Sequence, residues 1–351
     1  MSGGVDDTPT ARAQTVADGV LFPMAQDVDR GLRSLTSGLD SLAGAGLFGI
    51  AGPTSHGGAD LAPSDARRTI AVVGSGCGAT FFVWVQHHGV VRTVRGSSNE
   101  AFVERWLAPM CAGEVIAGVA FAHLRRPGPP AIRAQRLGDG WRLDGHAPWA
   151  TSWGIADWFG VAAASDDGEV VWARVPGTRS HGLAAVPLAL PVFATTGTVT
   201  LTFEGYDVAA EDVIEVGGLD DWRRADRCHA AIGQPAVLGV ADRAIGLLDT
   251  FTDQDAVDAA ARLRDELDTR WRHDDELVDD LGRGTLDVTA ASGHRAACLH
   301  LARRSTTALL AAAGGRGMDL SHPAQRLARE ADFYVIQAQT LDGRAATLRS
   351  V

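Results

Sequence analysis

The first third of the chain has apolar residues at helical spacing. They recur every three or four positions over residues 11–44, 64–74, 79–92 and 100–110, which predicts amphipathic or buried helices. The run FFVWVQHHGVV is apolar on every side, so we expect it to lie deep in a bundle. The pattern predicts an N-terminal α-helical domain over residues 1–112.

The pattern changes at Gly113 to short β-branched and aromatic runs. Turn sequences such as PGPP, GDG and SDDG separate these runs, as is typical of strands joined by tight connections. The runs that we predict as strands are residues 115–124, 140–144, 158–164, 170–175 and 199–203. They indicate a central antiparallel β-domain over residues 113–215.

Helical spacing returns from Trp222 to the end of the chain. Residues 230–248 are apolar, residues 255–281 are heavily charged and residues 289–313 are rich in alanine, so we expect the second of these helices to be the most exposed. With a final helix they predict a C-terminal four-helix bundle over residues 216–351. Strands between two helical blocks make the fold class α+β.

The final helix has recognisable start and stop signals. Gly314 and Gly315 end the alanine-rich helix, and Pro323 suits the first turn of the next one, with Ser321 or His322 as its cap. The inward positions are predicted to be Leu327, Ala331, Tyr334, Val335 and Ala338, and the outward ones Arg326, Arg329 and Asp332.

Composition excludes several classes of function. The 351 residues are 46% hydrophobic and 21% charged with a formal charge of −11, and all 32 basic residues are arginines that form no long run. Nucleic acids and anionic membranes need a basic patch, so we expect neither as a partner. The four cysteines form no C-x-x-C pair, which predicts reduced thiols and no metal site.

The sequence also predicts a cytoplasmic location. Its first residues lack the order of a signal peptide, and no apolar run reaches the ~18 residues needed to span a bilayer.

The segment GGRGMDLSHPAQRLAREADFYVIQAQT, residues 314–340, resembles the C-terminal signature of the acyl-CoA dehydrogenase superfamily. That signature has a Gly-Gly-x-Gly turn, a proline, an Arg-(Asp/Glu)-Ala step and a Glu-Gly-Thr that contacts flavin and substrate. The catalytic glutamate of many members falls on Ala338, and the following glycine falls on Gln339. The matching positions are Gly314, Gly315, Gly317, Pro323, Arg329, Glu330, Ala331 and Thr340.

A second segment, WATSWGIADWF at residues 149–159, resembles the family's flavin-contacting strand. The resemblance implies that Trp149 lies against the flavin ring and that Thr151 hydrogen-bonds its reactive edge, with Ser152 adjacent. A flat apolar wall with a few donors suits a flavin. The alternative interpretation of Trp149 is a core tryptophan on a strand.

The cofactor implied by the resemblance is FAD, held also by Gly314, Gly315 and Thr340. The family's Arg-x-x-Phe-Gly element is replaced here by TFTDQDA, and Ala311 stands where a glutamine is usual. A weaker grip on the dinucleotide, a preference for FMN, or loss of flavin therefore stays open.

With alanine at position 338, the base must lie elsewhere or be dispensable. Some relatives carry it on the first helix of the C-terminal bundle, where His229 is the roughly equivalent residue, and Asp226 at i−3 would orient its imidazole. The alternative is a surface pair that contributes only about 0.2–0.5 kcal/mol.

Three functions follow from the resemblance. The first is a flavin-dependent oxidoreductase acting on an acyl thioester such as an acyl-CoA, or on a related small molecule. The second is a flavin monooxygenase or oxidase, and the third is a non-catalytic subunit that partners an active paralogue. The alanine-rich texture of residues 289–313 predicts a homodimer or homotetramer.

Overall fold

The computed structural model describes residues 7–351 and begins with a helical domain. A single π-helical segment, Ala17–Leu21, joins its first two helices. The fifth helix lies in the core, as predicted, with Phe81, Val83 and Trp84 fully buried. The helices of this part are α1 (Pro9–Val16), α2 (Phe22–Asp29), α3 (Thr36–Gly44), α4 (Pro63–Gly76), α5 (Gly78–Arg95) and α6 (Glu100–Ala112).

The central part is one mixed sheet of eight strands in the order β6-β7-β3-β2-β4-β5-β8, with β1 also paired to β4. Most neighbours are antiparallel, but β1 runs parallel to β4, so the expectation of an entirely antiparallel sheet needs correction. The strands are β1 (Ala117–Ala120), β2 (Ile132–Leu137), β3 (Gly140–Ala150), β4 (Trp158–Ala164), β5 (Glu169–Pro176), β6 (Leu183–Pro187), β7 (Val199–Val208) and β8 (Val213–Gly218).

The C-terminal part is built around one long helix, α10, which packs against five others. A break at Gly233 separates α7 from α8, and its φ of 85° is one that glycine adopts without strain. This part therefore contains six helices, which are the four predicted ones and two more, the first and the last. The helices are α7 (Leu219–Ile232), α8 (Ala236–Leu248), α9 (Gln254–Arg283), α10 (Val288–Ala313), α11 (Pro323–Tyr334) and α12 (Leu341–Arg349).

Helix α11 confirms one prediction and overturns another. The His322 ring Nδ1 accepts a hydrogen bond from the Ala324 N–H at 3.2 Å, so His322 is the cap. Arg326 does not face outward, because its side chain is 1% exposed and donates to Glu330 at 2.6 Å. The carboxylate one turn away compensates the buried guanidinium, which sequence spacing alone does not reveal. Burial raises the pKa of Glu330 despite this arginine.

The stretch Leu219–Leu248 is long and apolar enough to cross a membrane by length and composition, yet 67% of its most apolar window is buried within the protein. It comprises α7 and α8, which pack on α10, and α8 also packs on α4 and α9. Its apolar residues are therefore used in the core.

Candidate functional site

A cavity of about 450 Å³ lies where the sheet, α5 and the segment from α11 to α12 meet. This volume is within the range of roughly 300–1,000 Å³ that is usual for small-molecule sites. The sheet side contributes Val119, Phe121, Ala122, Arg125, Arg126, Pro127, Trp149, Thr151, Leu190 and Thr198, and the helical side contributes Phe82, Gln86, Phe333, Ile336, Gln337, Ala338, Gln339, Thr340, Leu341 and Arg344.

The sheet side of the cavity offers a flat indole beside a row of hydroxyls. Trp149, near the end of β3, is 43% exposed and lines the cavity. Pairing of Ala150 with Val199 brings the next residue, Thr151, beside Thr198. Their hydroxyl oxygens lie 3.0 Å apart, and the Thr198 hydroxyl lies 2.9 Å from that of Thr196. The row ends where the Thr196 hydroxyl donates to the Phe193 carbonyl. Because this uses the Thr196 proton, the Thr198 hydroxyl donates to Thr196, and the Thr151 hydroxyl donates to Thr198.

Ser152 is held in an unusual conformation directly behind this wall. Its φ is 88°, a region that residues other than glycine rarely adopt. Its N–H donates to the Thr196 carbonyl at 2.9 Å, which fixes the turn. Its hydroxyl is buried and has no hydrogen-bond partner among residues 7–351. A buried, unpartnered hydroxyl calls for a partner from outside the chain, such as a ligand or a water molecule.

The helical side of the cavity is a loop between α11 and α12. Helix α11 ends at Tyr334, earlier than the predicted inward face at Ala338, and Ala338 has a φ of 50°. This left-handed conformation strains an alanine and turns the chain across the cavity. Thr340 then caps α12, because its hydroxyl accepts from the Gly343 N–H at 3.1 Å. Six consecutive residues, 336–341, line the cavity as a result, with residues 337–340 at their centre.

The cavity is rich in guanidinium groups. Arg125, Arg126 and Arg344 line it, whereas the lining formed by residues 7–351 contains no aspartate, glutamate, histidine, cysteine or tyrosine. Arg125 is held by Asp226 on α7, through two hydrogen bonds of 2.7 Å each. The remaining arginines leave the cavity suited to an anionic group.

The predicted pairing of Asp226 with His229 does not form. Asp226 binds Arg125, and the His229 ring Nδ1 lies 2.8 Å from the Ala225 carbonyl of the preceding turn. His229 is exposed and is not part of the cavity lining. The prediction that Asp226 orients His229 is therefore wrong, because a bidentate guanidinium outcompetes an exposed imidazole for the carboxylate. Whether His229 acts as a base stays a prediction.

The predicted cofactor residues fall into two groups. Trp149, Thr151 and Thr340 meet in one cavity, with Ser152 behind them. Gly314 and Gly315 lie in the exposed 3₁₀ turn after α10 and do not line this cavity. Their contact with a cofactor remains a prediction.

His123, on the 3₁₀ turn after β1, belongs to the core and is 4% exposed. Its ring Nε2 lies 2.9 Å from the Ala162 carbonyl, which makes this nitrogen the donor. Burial lowers the pKa of His123 to about 4. The ring is therefore neutral near pH 7 and is used in packing.

Sequence reasoning missed most of the helical side of the cavity. Phe82 and Gln86 lie one turn apart on α5, and the Phe82 ring meets Phe333 edge to face at 5.0 Å. The pair Arg125 and Arg126 was visible as RRPGPP, but it carries no spacing that would point to a site. Arg344 lies after the recognised signature, and no sequence motif pointed to it as a site residue.

The residues present fit the ring system of a flavin. The exposed Trp149 provides a flat apolar wall, and the Thr151 and Thr198 hydroxyls provide polar groups beside it. The arginines of the cavity are of the type that binds phosphate. Trp149, Thr151 and Thr340 are therefore the residues that would hold the ring.

Comparison with known proteins bears on the fold and on the N-terminal domain. Residues 10–114 match the family model "Acyl-CoA dehydrogenase, N-terminal domain". No curated protein sequence matches the chain. Solved structures match it over nearly its full length, and this likeness defines the fold.

Three of these structures illustrate the likeness. Butyryl-CoA dehydrogenase from Megasphaera elsdenii has a TM-score of 0.82 at 16% identity, covering 100% of this chain and 98% of its own. A glutaryl-CoA dehydrogenase from Mycobacterium smegmatis in complex with FADH2 has a TM-score of 0.81 at 16% identity, covering 97% and 93%. A chain described as electron transferring flavoprotein of Acidaminococcus fermentans has a TM-score of 0.82 at 18% identity, covering 100% and 99%.

The fold class is thus a helical domain, a mixed β-domain and C-terminal helices in the acyl-CoA dehydrogenase arrangement. Residues 10–114 thus match the N-terminal domain of the acyl-CoA dehydrogenase family, and the chain as a whole has the fold of these proteins, in line with the two sequence segments.

Proposed function

We propose that the protein is a flavin-dependent oxidoreductase that binds FAD and oxidises an acyl thioester, such as an acyl-CoA, or a related small molecule. The observation that carries the proposal is the cavity itself, in which an exposed indole and a row of hydroxyls face the loop at residues 337–340. Flavoproteins of the same fold support it.

A bound flavin supplies a two-electron acceptor. Trp149 would provide the wall for its ring, and Thr151, whose hydroxyl lies 3.0 Å from that of Thr198, would be a polar contact for it. Arg126 and Arg344 are available to neutralise a phosphate or carboxylate in the cavity. Phe82 and Phe333 exclude water from the side opposite the sheet.

The acid–base part of the reaction is the point at which this protein departs from a conventional dehydrogenase. Ala338 cannot take a proton, and no other acid–base side chain lines the cavity within the described part of the chain. This observation favours the second candidate, a flavin monooxygenase or oxidase that needs no protein base. FMN in place of FAD is the corresponding alternative for the cofactor.

The protein is further proposed to act as a cytoplasmic homodimer or homotetramer, with a paralogous subunit as an alternative partner. The alanine-rich texture of residues 289–313, most of α10, supports this assembly.

Anaerobic mixing of the flavin-loaded protein with a panel of acyl-CoA thioesters tests the leading function. Bleaching of the flavin absorbance by at least one thioester supports acyl-thioester oxidation, and persistence of that bleaching in His229→Ala shows that His229 is not the base. No bleaching with any thioester, together with oxygen consumption once a partner reductase reduces the flavin, moves the assignment to a monooxygenase. A protein that binds neither FAD nor FMN is left with the non-catalytic role.

A further inference from the structure

Arg295 is a buried arginine that lies directly behind the candidate site. It lies on α10 and is 5% exposed. Its Nη1 donates to the Ala338 carbonyl at 2.9 Å and to the Ala230 carbonyl at 3.1 Å, and its Nη2 donates to the Gln337 carbonyl at 2.5 Å. One guanidinium thus joins three parts of the chain, which are helix α7, helix α10 and the loop after α11.

These contacts fall on the part of the loop that needs support. Ala338 holds a φ of 50°, a left-handed conformation that strains an alanine. Strained residues persist when the surrounding structure restrains them. The Arg295 side chain binds the carbonyls of both Gln337 and Ala338, and these hydrogen bonds are such a restraint.

The neighbouring glycines leave room for this arrangement. A Cβ at Gly233 would lie 2.9 Å from the Arg295 Cγ, so this position is shaped around the arginine stem. Gly343, in the first turn of α12, also lies beside the guanidinium, where a Cβ would be 3.6 Å from Nη1, an ordinary contact distance. The close approach to the arginine stem is therefore at Gly233.

The charge of Arg295 is unusual for a buried group. Its hydrogen bonds within residues 7–351 end on carbonyl oxygens, with no carboxylate among its partners. The Ala230 carbonyl belongs to the C-terminal turn of α7, where the helix dipole favours a cation. Burial, with a smaller contribution from Arg125, lowers the pKa of Arg295 to about 10, so it remains charged at neutral pH.

We propose that Arg295 is a positioning residue for the candidate site, because its guanidinium holds the backbone of Gln337 and Ala338 where residues 337–340 form the cavity wall. Its effect on the flavin rests on the proposed function, whereas its effect on the loop does not. Arg295 binds the loop and is not itself among the residues that line the cavity.

Hydrogen exchange of the full-length protein tests the effect on the loop. In Arg295→Met, amides of residues 336–344 should exchange at least about tenfold faster than in the wild type, since hydrogen bonds to a charged donor are lost. Arg295→Lys, which keeps a charged donor, should restore part of the protection. Arg243→Met is the matched control, because Arg243 similarly binds the Ser75 carbonyl and Asp18 elsewhere.

Equal exchange of residues 336–344 in wild type and Arg295→Met overturns the proposal, as does an increase that is no larger than in Arg243→Met. If Arg295→Met does not fold, Arg295→Lys must show faster exchange confined to this segment, and unchanged exchange there is equally contrary. In flavin-loaded protein, Arg295→Met should shift the flavin absorbance maxima while Arg243→Met does not. A wild type that binds no flavin contradicts the proposed function and leaves the exchange result standing.

Discussion

Restoring a carboxylate at position 338 is the perturbation that examines the missing base most directly. Ala338 lines the cavity and already carries a Cβ at a φ of 50°, so Ala338→Glu adds no backbone strain of a new kind. The positive φ belongs to Ala338 and not to Gln339, so the turn does not need the glycine that the family signature has at position 339.

The expected size follows from the chemistry and from the charges nearby. A well-placed general base contributes about 10²–10⁴-fold to the rate. Arg125, Arg126 and Arg344 surround the cavity and Arg295 binds the Ala338 carbonyl, so they favour the ionised form of a new glutamate. A more acidic carboxyl is a weaker base, and we therefore expect an increase near the lower limit, about 10²-fold.

Stopped-flow flavin reduction by acyl-CoA thioesters without oxygen is the assay, and Ala338→Gln is the control because it matches the size of glutamate without a base. The Glu variant should reduce its flavin about 10²-fold faster than the Gln variant, with a rate that rises as the carboxyl ionises. Equal rates in the two variants, with flavin bound in both, would refute the reasoning that position 338 can supply the base, and no reduction by any thioester in either variant would exclude the cavity as an acyl-thioester site.

Further predictions concern the flavin wall, the pH dependence of stability and the assembly. Trp149→Ala should weaken flavin retention and Thr151→Ala should shift the flavin spectrum, and unchanged content and spectra in both would remove these residues from the site. Burial lowers the pKa of His87 and of His123 from 6.5 to about 4. The free energy of unfolding is therefore at its full value above pH 6.5 and falls as the pH is lowered towards 4, because in this range the unfolded chain takes up protons on these histidines and the folded chain does not. Each histidine accounts for a loss of about 3 kcal/mol. Urea unfolding at several pH values should show this fall, a smaller one in His123→Gln, and a pH-independent stability would contradict it. Light scattering should give a dimer or tetramer at micromolar concentration, and a monomer would contradict the proposed assembly.

Each segment of the fold could be predicted to the extent that its apolar and polar residues follow a regular pattern. Strand β4, Trp158–Ala164, was predicted with its observed bounds, since it is a continuous apolar run. Strands β2, β6 and β8 were missed because they are half-exposed and carry prolines, glycines or charges. Arg326 was placed on the wrong face because burial of a guanidinium depends on Glu330, and a helical period cannot show such a pairing.

The candidate site divides in the same way. Trp149, Thr151 and Thr340 could be predicted because each lies in a motif with a recognisable order. The pairing of Asp226 with Arg125 joins residues that are 101 positions apart, and no local pattern reports it. The contacts of Arg295 with the 337–338 carbonyls are also invisible in the sequence, because backbone acceptors carry no residue signature.

The central claim is that the cavity beside Trp149 holds a flavin. The most direct measurement is the absorption spectrum of the purified protein after incubation with FAD or FMN and removal of unbound cofactor, with the released cofactor identified. The account predicts flavin absorbance with about one FAD per chain, and loss of much of it in Trp149→Ala. A colourless wild type that takes up neither FAD nor FMN would contradict the claim.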